Sequence, residues 1–365
     1  MKVEILIYAY LAVCLAMIVF NIVCIFIFRH KDKRLEYHSR GFTDEVRRQV
    51  ALEHTEAGHR KYLTKKLKKL SNLIAFDRTL STLYNEEPER LQHYIQEISS
   101  VFIYLALEYQ KRNQLQAAYF PYIIKTYRLF RGECISIVID AMLLLVQSPV
   151  LYCRENALQA LYTIGDAESV VKAICLVDKG GSYHNKKLIA DGLLSFTGDA
   201  DRLSKLLWEA YPTLSTDVQI AVLDYFRFHS GNHCQRILSL LTDGQTHWEV
   251  RYSCIRYFGR YPYEPAYPHL LDFAKSEEET QWESTAIAAT ALAGYPSEQT
   301  VETLKKLLHS RTWYVRYNAS QSLSRLGIAY TDLVDIFEGK DRYAGEIMRY
   351  RFDAKNNKMK EEATL

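Results

Sequence analysis

The chain has 365 residues, 48% of them hydrophobic and 24% charged, with 8 Pro and 15 Gly. That is apolar material for one large or two ordinary domains, and it excludes a collagen-like, low-complexity or disulfide-scaffold protein. A net charge of +3 argues neither for a nucleic-acid binder nor for an acidic solvating chain, and 7 Cys without a C-x-x-C pair suit free thiols in a reducing compartment.

Ile5 to Phe28 contains no charged residue. At 1.5 Å per residue this run makes roughly 36 Å of helix, enough to cross a hydrocarbon core of about 30 Å with some tilt. Tyr8 and Tyr10 lie near one end, where amphipathic rings favour the interface, and Asn21 is the one strongly polar side chain inside it. A cleaved signal peptide is the competing reading, but the run exceeds a signal's apolar core and no small-x-small site ends it. Residues 1–28 are therefore expected to form a retained transmembrane anchor.

The flanks set its orientation. Lys2 and Glu4 precede the span, whereas Arg29, Lys31, Lys33, Arg34 and Arg40 follow it, which places the N-terminus outside and the bulk of the chain in the cytoplasm of a cell-membrane protein. Residues 29–70 form a basic juxtamembrane segment, with 13 Lys/Arg against 6 Asp/Glu. Its densest part holds Arg60, Lys61, Lys65, Lys66, Lys68 and Lys69. Such a segment can gain about 1 kcal/mol per cation close to an anionic leaflet, so an anionic lipid surface is one expected partner; a solvated helix face is the alternative.

Beyond residue 70 the chain repeats. Gly165, Gly198, Gly231, Gly259, Gly294 and Gly327 recur in comparable contexts at spacings of 33, 33, 28, 35 and 33. An apolar helical run precedes each, as in ENALQALYTIG and NASQSLSRLG, and a second follows, as in Val301, Leu304, Leu307 and Leu308. A glycine closing the first helix in a left-handed conformation, with a following Asp, Asn or Ser capping the second, predicts a helix–turn–helix unit of about 33 residues. One pair cannot bury both faces, so the expected fold is all-α, an α-solenoid of stacked hairpins preceded by one transmembrane helix. Residues 71–147 read as an atypical helical N-terminal cap with a long helix around 87–111. Residues 148–338 read as the repeats, and 339–365 as a C-terminal capping helix and tail.

The stretches Trp248-Glu-Val-Arg251-Tyr-Ser-Cys-Ile-Arg-Tyr-Phe-Gly259 and Trp313-Tyr-Val-Arg316 through Gly327 resemble the first helix of HEAT repeats, with its V-R-x-x-A-x-x-A-L-x-x-L-G pattern. Cys153-Arg154 through Gly165 fits too, whereas residues 184–214 and 215–245 lack the Arg. The short period is similar to the bacterial subtype. The resemblance covers about half the chain and speaks for fold more than function. The layout as a whole is similar to bacterial membrane-anchored HEAT-repeat proteins found beside family 2 membrane glycosyltransferases of exopolysaccharide synthesis. That resemblance implies a scaffold or regulatory subunit with a membrane-associated protein partner.

Catalytic motifs are absent from the sequence: there is no G-x-x-x-x-G-K-[ST], G-x-G-x-x-G, H-E-x-x-H or G-x-S-x-G. Asp199-Ala-Asp201 has a D-x-D form, but it follows a repeat glycine and suits helix capping. His229, His233 and Cys234 have metal-ligand spacing, yet they straddle a turn without an evident fourth ligand. No enzyme activity, cofactor or metal is expected, and a lyase-like enzyme on a HEAT scaffold and a tethered receptor for a soluble signalling protein are the rivals. With residues 71–365 at net −4, and no row of Lys/Arg on the second helices, no nucleic acid is expected. The sequon Asn318-Ala-Ser320 reads as a chance match. Trp248, Trp282 and Trp313 recur near the starts of consecutive first helices and could line one edge. Arg251 and Arg316 read as braces between repeats. Tyr257, Arg260, Tyr261 and Tyr263 surround an inter-helix turn and are expected on an exposed ridge, where Tyr, Trp and Arg favour partner binding.

Overall fold

The computed structural model describes residues 2–52, 54–275 and 282–362, and among them every regular element is a helix. The chain divides into two compact units, Met1–Ser182 with Phe196–Leu203, and Tyr183–Ser195 with Ser204–Leu365. The first holds α1 (Lys2–Val50), α2 (Ala57–Lys66), α3 (Leu70–Glu86), α4 (Pro88–Glu97) and α5 (Ser99–Tyr109). It continues with α6 (Gln114–Ala117), α7 (Tyr119–Thr126), α8 (Ser136–Leu145), α9 (Leu151–Ile164) and α10 (Ala167–Lys179). Then follow α11 (Lys186–Leu194), α12 (Ala200–Ala210), α13 (Thr216–His229), α14 (Cys234–Thr242) and α15 (Trp248–Arg260). The last elements are α16 (Tyr267–Ala274), α17 (Trp282–Ala291), α18 (Glu298–Leu307), α19 (Trp313–Arg325), α20 (Val334–Phe337) and α21 (Arg342–Glu362).

Helix α1 serves two environments. Its window Tyr10–Ile27 is long and apolar enough to cross a membrane, and none of it is buried against protein. The helix then runs on without a break, so residues 29–50 of the basic segment continue the apolar helix. From Ser39 its residues turn inward: Ser39, Phe42, Val46, Gln49 and Val50 are buried, at the three- and four-residue steps that keep one helix face on a core. That face meets α3, where the Phe42 and Phe76 rings lie 5.8 Å apart and Thr79 Oγ1 donates to the Ser39 carbonyl at 3.0 Å.

A polar cluster ties the α1–α2 turn back onto the helix. Arg48 reaches Glu45 and Glu56 at 3.0 Å each, and Gln49 Nε2 donates to Glu56 at 3.1 Å. His59 is buried, with Nδ1 3.1 Å from Glu45 Oε1 and Nε2 2.7 Å from the Tyr94 hydroxyl. A carboxylate only accepts, so Nδ1 carries the proton toward Glu45 and Nε2 accepts from Tyr94, the arrangement of a neutral imidazole. Burial lowers the His59 pKa against the pull of Glu45, while the Arg48 hydrogen bonds hold Glu45 below its usual value.

The long helix expected around 87–111 is two helices. Ile98, buried at φ −96°, breaks the run, so that α4 packs on α1 and α3 while α5 packs on α2, α7 and α8. The domain boundary expected at 147/148 falls inside the first unit, where α8 and α9 pack together.

The repeat glycines do different work from that expected of them. Gly165 does close α9 in the left-handed region, at φ +85°, and Gly327 adopts φ +72° after α19. Of the others, Gly231 and Gly294 lie against the Tyr261 and Pro262 side chains, and Gly198 and Gly259 are places where backbones meet. A Cβ on Gly198 would stand 2.0 Å from the Gly165 carbonyl oxygen, and one on Gly259, inside α15, would stand 3.0 Å from the Ala291 Cα. The capping expectation is met after Gly165, Gly198 and Gly294, where Asp166 accepts from Ser169 N, Asp199 from Asp201 N and Arg202 N, and Ser297 from Thr300 N, but not after Gly231, where α14 starts after His233 without a side-chain cap.

Among the described elements of the second unit, α11, α13, α15, α17 and α19 each pack on the next, and α14, α16 and α18 each pack on the odd-numbered helix that follows. One side chain repeats the same brace in both units. Asn156 Nδ2 on α9 donates to the Ala118 carbonyl at 2.9 Å, and Asn318 Nδ2 on α19 donates to the Ala286 carbonyl at 2.9 Å. Asn318 is thus a structural donor within the sequon. Helix α21 closes the described chain on α19 and α20, burying Ala344 and Met348 and laying Arg351 4.3 Å from the Tyr317 ring.

Two outcomes follow from this packing. Gly198→Ala should cost at least about 2 kcal/mol in denaturant unfolding, because no side chain can yield at a backbone oxygen, whereas Gly244→Ala, with nothing within 4 Å, should stay within about 0.5 kcal/mol. His59 holds its proton less tightly folded than unfolded, so its contribution to stability is present above about 6.5 and is lost as pH falls below that value. Thermal midpoints across that window should drop for the wild type and drop less for His59→Gln, which keeps both hydrogen bonds but cannot titrate.

Candidate recognition groove

In the second unit a groove of about 540 Å³ runs across α11, α13, α15, α17 and α19. Trp248, Tyr252 and Arg256 recur every fourth residue on α15 and so share one face, and all three line it. The Trp248 and Tyr252 rings meet edge-on at 5.2 Å. Opposite them, Trp282 of α17 stacks on Tyr314 of α19 at 5.4 Å. Aromatic walls therefore come from three consecutive first helices.

The floor carries charge. Lys186 on α11 bridges Asp217 at 3.2 Å and Glu249 at 3.3 Å; burial works against its ammonium, and the two carboxylates outweigh that and raise its pKa. Asp224 on α13 pairs with Arg227 at 3.2 Å, yet burial pushes its pKa up because the guanidinium groups of Arg227 and Arg256 only partly offset desolvation. For Arg256 itself burial lowers the pKa, with Asp224 as the main opposing charge. Arg256 makes no hydrogen bond or ion pair within the described residues. Its side chain is exposed at the groove, and a planar fork of donors beside aromatic rings is suited to a carboxylate or carbonyl brought in by a ligand.

The sequence-predicted residues fall into three groups. Trp248 and Trp282 line the groove; Trp248 is 51% exposed. Trp313 does not. It lies edge-on to Tyr314 at 5.2 Å and stacks on Tyr317 at 4.9 Å. Trp313 and Tyr314 are adjacent, and one residue turns a helix by about 100°, so with Tyr314 turned into the groove Trp313 faces away from it.

The expected ridge is only partly a ridge. Tyr257 is fully buried, its hydroxyl donating to the Ser230 carbonyl at 3.0 Å and accepting from His233 N at 3.1 Å, so it braces the turn from below. Tyr261 and Tyr263 are half-buried, Tyr263 stacking on Phe258 at 6.2 Å. Arg260 is exposed and lies 5.4 Å from the ring of Phe228, itself exposed. Arg251 braces its own repeat, donating to the Asp243 carbonyl at 2.7 Å, and Arg316 lies over the Tyr343 ring of α21 at 5.2 Å.

Among the described residues no three His, Cys, Asp or Glu side chains converge on one point. His233 accepts from Trp208 Nε1 at 3.2 Å, His229 stacks on Tyr225, and Cys234 donates to the Gly231 carbonyl. Of the basic residues, Arg29 and Lys33 are exposed on α1, and the side chains of Lys31 and Arg34 lie outside the described ones. Arg60 pairs with Glu97 at 3.7 Å, and Lys68 donates to Tyr104 at 2.5 Å.

Sequence reasoning missed Tyr252, Arg256, Asp224, Lys186, Glu249 and Tyr314. The fourfold step from Trp248 through Tyr252 to Arg256 was available as a signal, but nothing local brings Lys186 to Glu249. No protein-family model matches the chain, and no curated protein sequence matches it significantly.

The two arginines of α15 separate structure from recognition. Arg251→Ala should cost about 1–2 kcal/mol of stability through the lost bond to Asp243, while Arg256→Ala, which removes no hydrogen bond, should stay within about 0.5 kcal/mol in the same denaturation experiment.

Proposed function

We propose that the chain is a single-pass membrane protein whose cytoplasmic part is an α-solenoid of HEAT-like hairpins, and that it works as a scaffold or regulatory subunit by holding a protein partner in the groove of the second unit. The observation that carries this reading is the groove itself. Aromatic walls from Trp248, Tyr252, Trp282 and Tyr314 surround Arg256, which has no described protein partner. Large rings give contact area at low entropic cost, and an arginine among them supplies direction, the combination found where a few residues dominate protein binding. The groove crosses several helices, which suits an extended polypeptide segment better than a compact small molecule. Helix-on-helix packing of successive hairpins and the paired Asn156 and Asn318 braces support the repeat architecture.

Anchoring gives the scaffold its economy. With Tyr10–Ile27 in the bilayer and the cations after Phe28 on the cytoplasmic side, the groove is held near other membrane proteins, and its effective concentration toward them rises without tighter contacts. A membrane glycosyltransferase of exopolysaccharide synthesis is the narrowest partner class we propose, and the resemblance of layout is what favours it.

The test isolates full-length protein from membranes in mild detergent, beside a chain lacking residues 1–28 and beside Trp248→Ala/Trp282→Ala. A polytopic enzyme should accompany the full-length protein, be absent without the anchor, and weaken at least about 30-fold in the groove variant, as expected for removing hot-spot aromatics. A soluble protein recovered with and without the anchor would make this a tethered receptor, and equal recovery by the groove variant would move the binding surface elsewhere.

A further inference from the structure

The α2–α3 turn is held at a definite depth, and two helix registers measure it. On α2, Glu56 meets Arg48, His59 meets Glu45, and Tyr62 lies 6.3 Å from Phe42, so α2 runs antiparallel to α1 and back toward the apolar run. On α3, Phe76 meets Phe42, Thr79 meets Thr43 at 3.3 Å, and Glu86 meets Arg47 at 2.7 Å, so α3 runs parallel to α1 and away from it. Extended to the end of α2 and the start of α3, both registers bring the turn level with residues 33–38 of α1. At 1.5 Å per residue this is about 7–15 Å past Phe28.

That turn reads Lys65-Lys66-Leu67-Lys68-Lys69. Its backbone is fixed from behind: Tyr109 donates to the Leu67 carbonyl at 2.8 Å, and Arg112 donates to the Lys68 carbonyl. Leu67 and Leu63 are fully buried, whereas Lys65, Lys66 and Lys69 are exposed. Lys65 and Lys69 make no ion pair with any described residue. A groove of about 340 Å³ between α2 and α5 adjoins the turn, lined by Arg60, Lys61, Lys65 and Lys68 with the hydroxyl-bearing Thr64 and Ser100. The headgroup layer extends about 5–8 Å beyond the hydrocarbon, and the screening length at physiological salt is about 8 Å, so the turn is within reach of lipid phosphates.

We infer that the α2–α3 turn is a docking site for anionic glycerophospholipid headgroups, with Lys65, Lys66 and Lys69 facing the leaflet and the mouth of the groove at Lys65 receiving a phosphate. This rests on the proposed span of residues 10–27. It also divides the basic segment. Lys61 and Arg60 also line the groove, but Lys61 lies level with residue 43, about 22 Å past Phe28, and Arg60 is already paired with Glu97, so Lys65 marks the part of the groove nearest the leaflet. The consequence is orientation: a helix that crosses the bilayer at one place and a basic turn that touches it at a second leave the first unit little freedom to swing.

The experiment measures amine acylation of each lysine by mass spectrometry, using full-length protein in nanodiscs of phosphatidylcholine alone or with roughly 30% phosphatidylglycerol. Acylation of Lys65, Lys66 and Lys69 should slow about five-fold with phosphatidylglycerol and recover in roughly 0.5 M salt, while Lys306, on α18, stays unchanged. Lys65→Gln/Lys69→Gln, at two exposed positions, should retain less phosphatidylglycerol on purification than the wild type. Equal acylation in both nanodiscs would overturn the inference, and the same slowing by inorganic phosphate in phosphatidylcholine nanodiscs would make the turn a site for soluble anions instead. Hydrogen exchange of residues 10–27 in the same samples separates the two failures: fast exchange there would defeat the span itself, and slow exchange with unprotected lysines would defeat only the lipid site.

Discussion

Phe42, Val46 and Val50 occupy one face of α1, and their burial against α3 is the contact on which the position of everything else in the first unit depends. The helix is continuous from Lys2 to Val50, so the end that is packed and the end that is apolar and bare are rigidly phased. Phe20 and Phe26 expose about two-thirds of their surface, at 68% and 67%, while Val46 a few turns on exposes none. A chain whose α1 had a flexible joint after Phe28 could place its basic residues anywhere. One with an unbroken helix places them at depths set by 1.5 Å per residue.

The polar cluster around His59 is the counterpart of that apolar contact. A buried imidazole between a carboxylate and a phenol is satisfied only in one tautomer, and Glu45 is in turn satisfied by Arg48. Removing one member would leave another buried without a partner, so the cluster enforces the antiparallel return of α2 more strictly than the aliphatic contacts alone would. The same return brings the lysine-rich turn back along α1. Here the specificity of a polar network and the placement of a surface charge are one physical fact.

In the second unit the governing constraint is helix rotation. Side chains four residues apart share a face, so Trp248, Tyr252 and Arg256 reach the groove together. One residue, about 100° of rotation, separates Trp313, which faces away, from Tyr314, which stacks on Trp282 in the groove. Where backbones meet closely, at Gly259 against Ala291, the absence of a side chain lets neighbouring helices approach and so narrows the groove's frame. The Asn318 brace acts across the next helix pair, α17 and α19: its amide adds a donor to the Ala286 carbonyl, which ties the register of the two helices to a hydrogen bond and not to apolar packing alone.

Features local to a few residues could be read from the sequence alone. The uncharged run to Phe28, the helical character of the rest, the recurring glycines and the caps at Asp166, Asp199 and Ser297 all follow from composition, period and short-range hydrogen bonding. The tertiary structure alone decided which face each helix turns inward and which distant groups meet. It buried Tyr257 beneath the turn it was expected to decorate, split the run 87–111 at Ile98, and joined Lys186 to Asp217 and Glu249, 31 and 63 residues away. The reason is that a helical period states that a face exists but not its rotation about the axis or its partner. Both are set by the summed packing of neighbouring helices, and a difference of one residue, about 100° of rotation, is enough to exchange a groove wall for a solvent-facing ring.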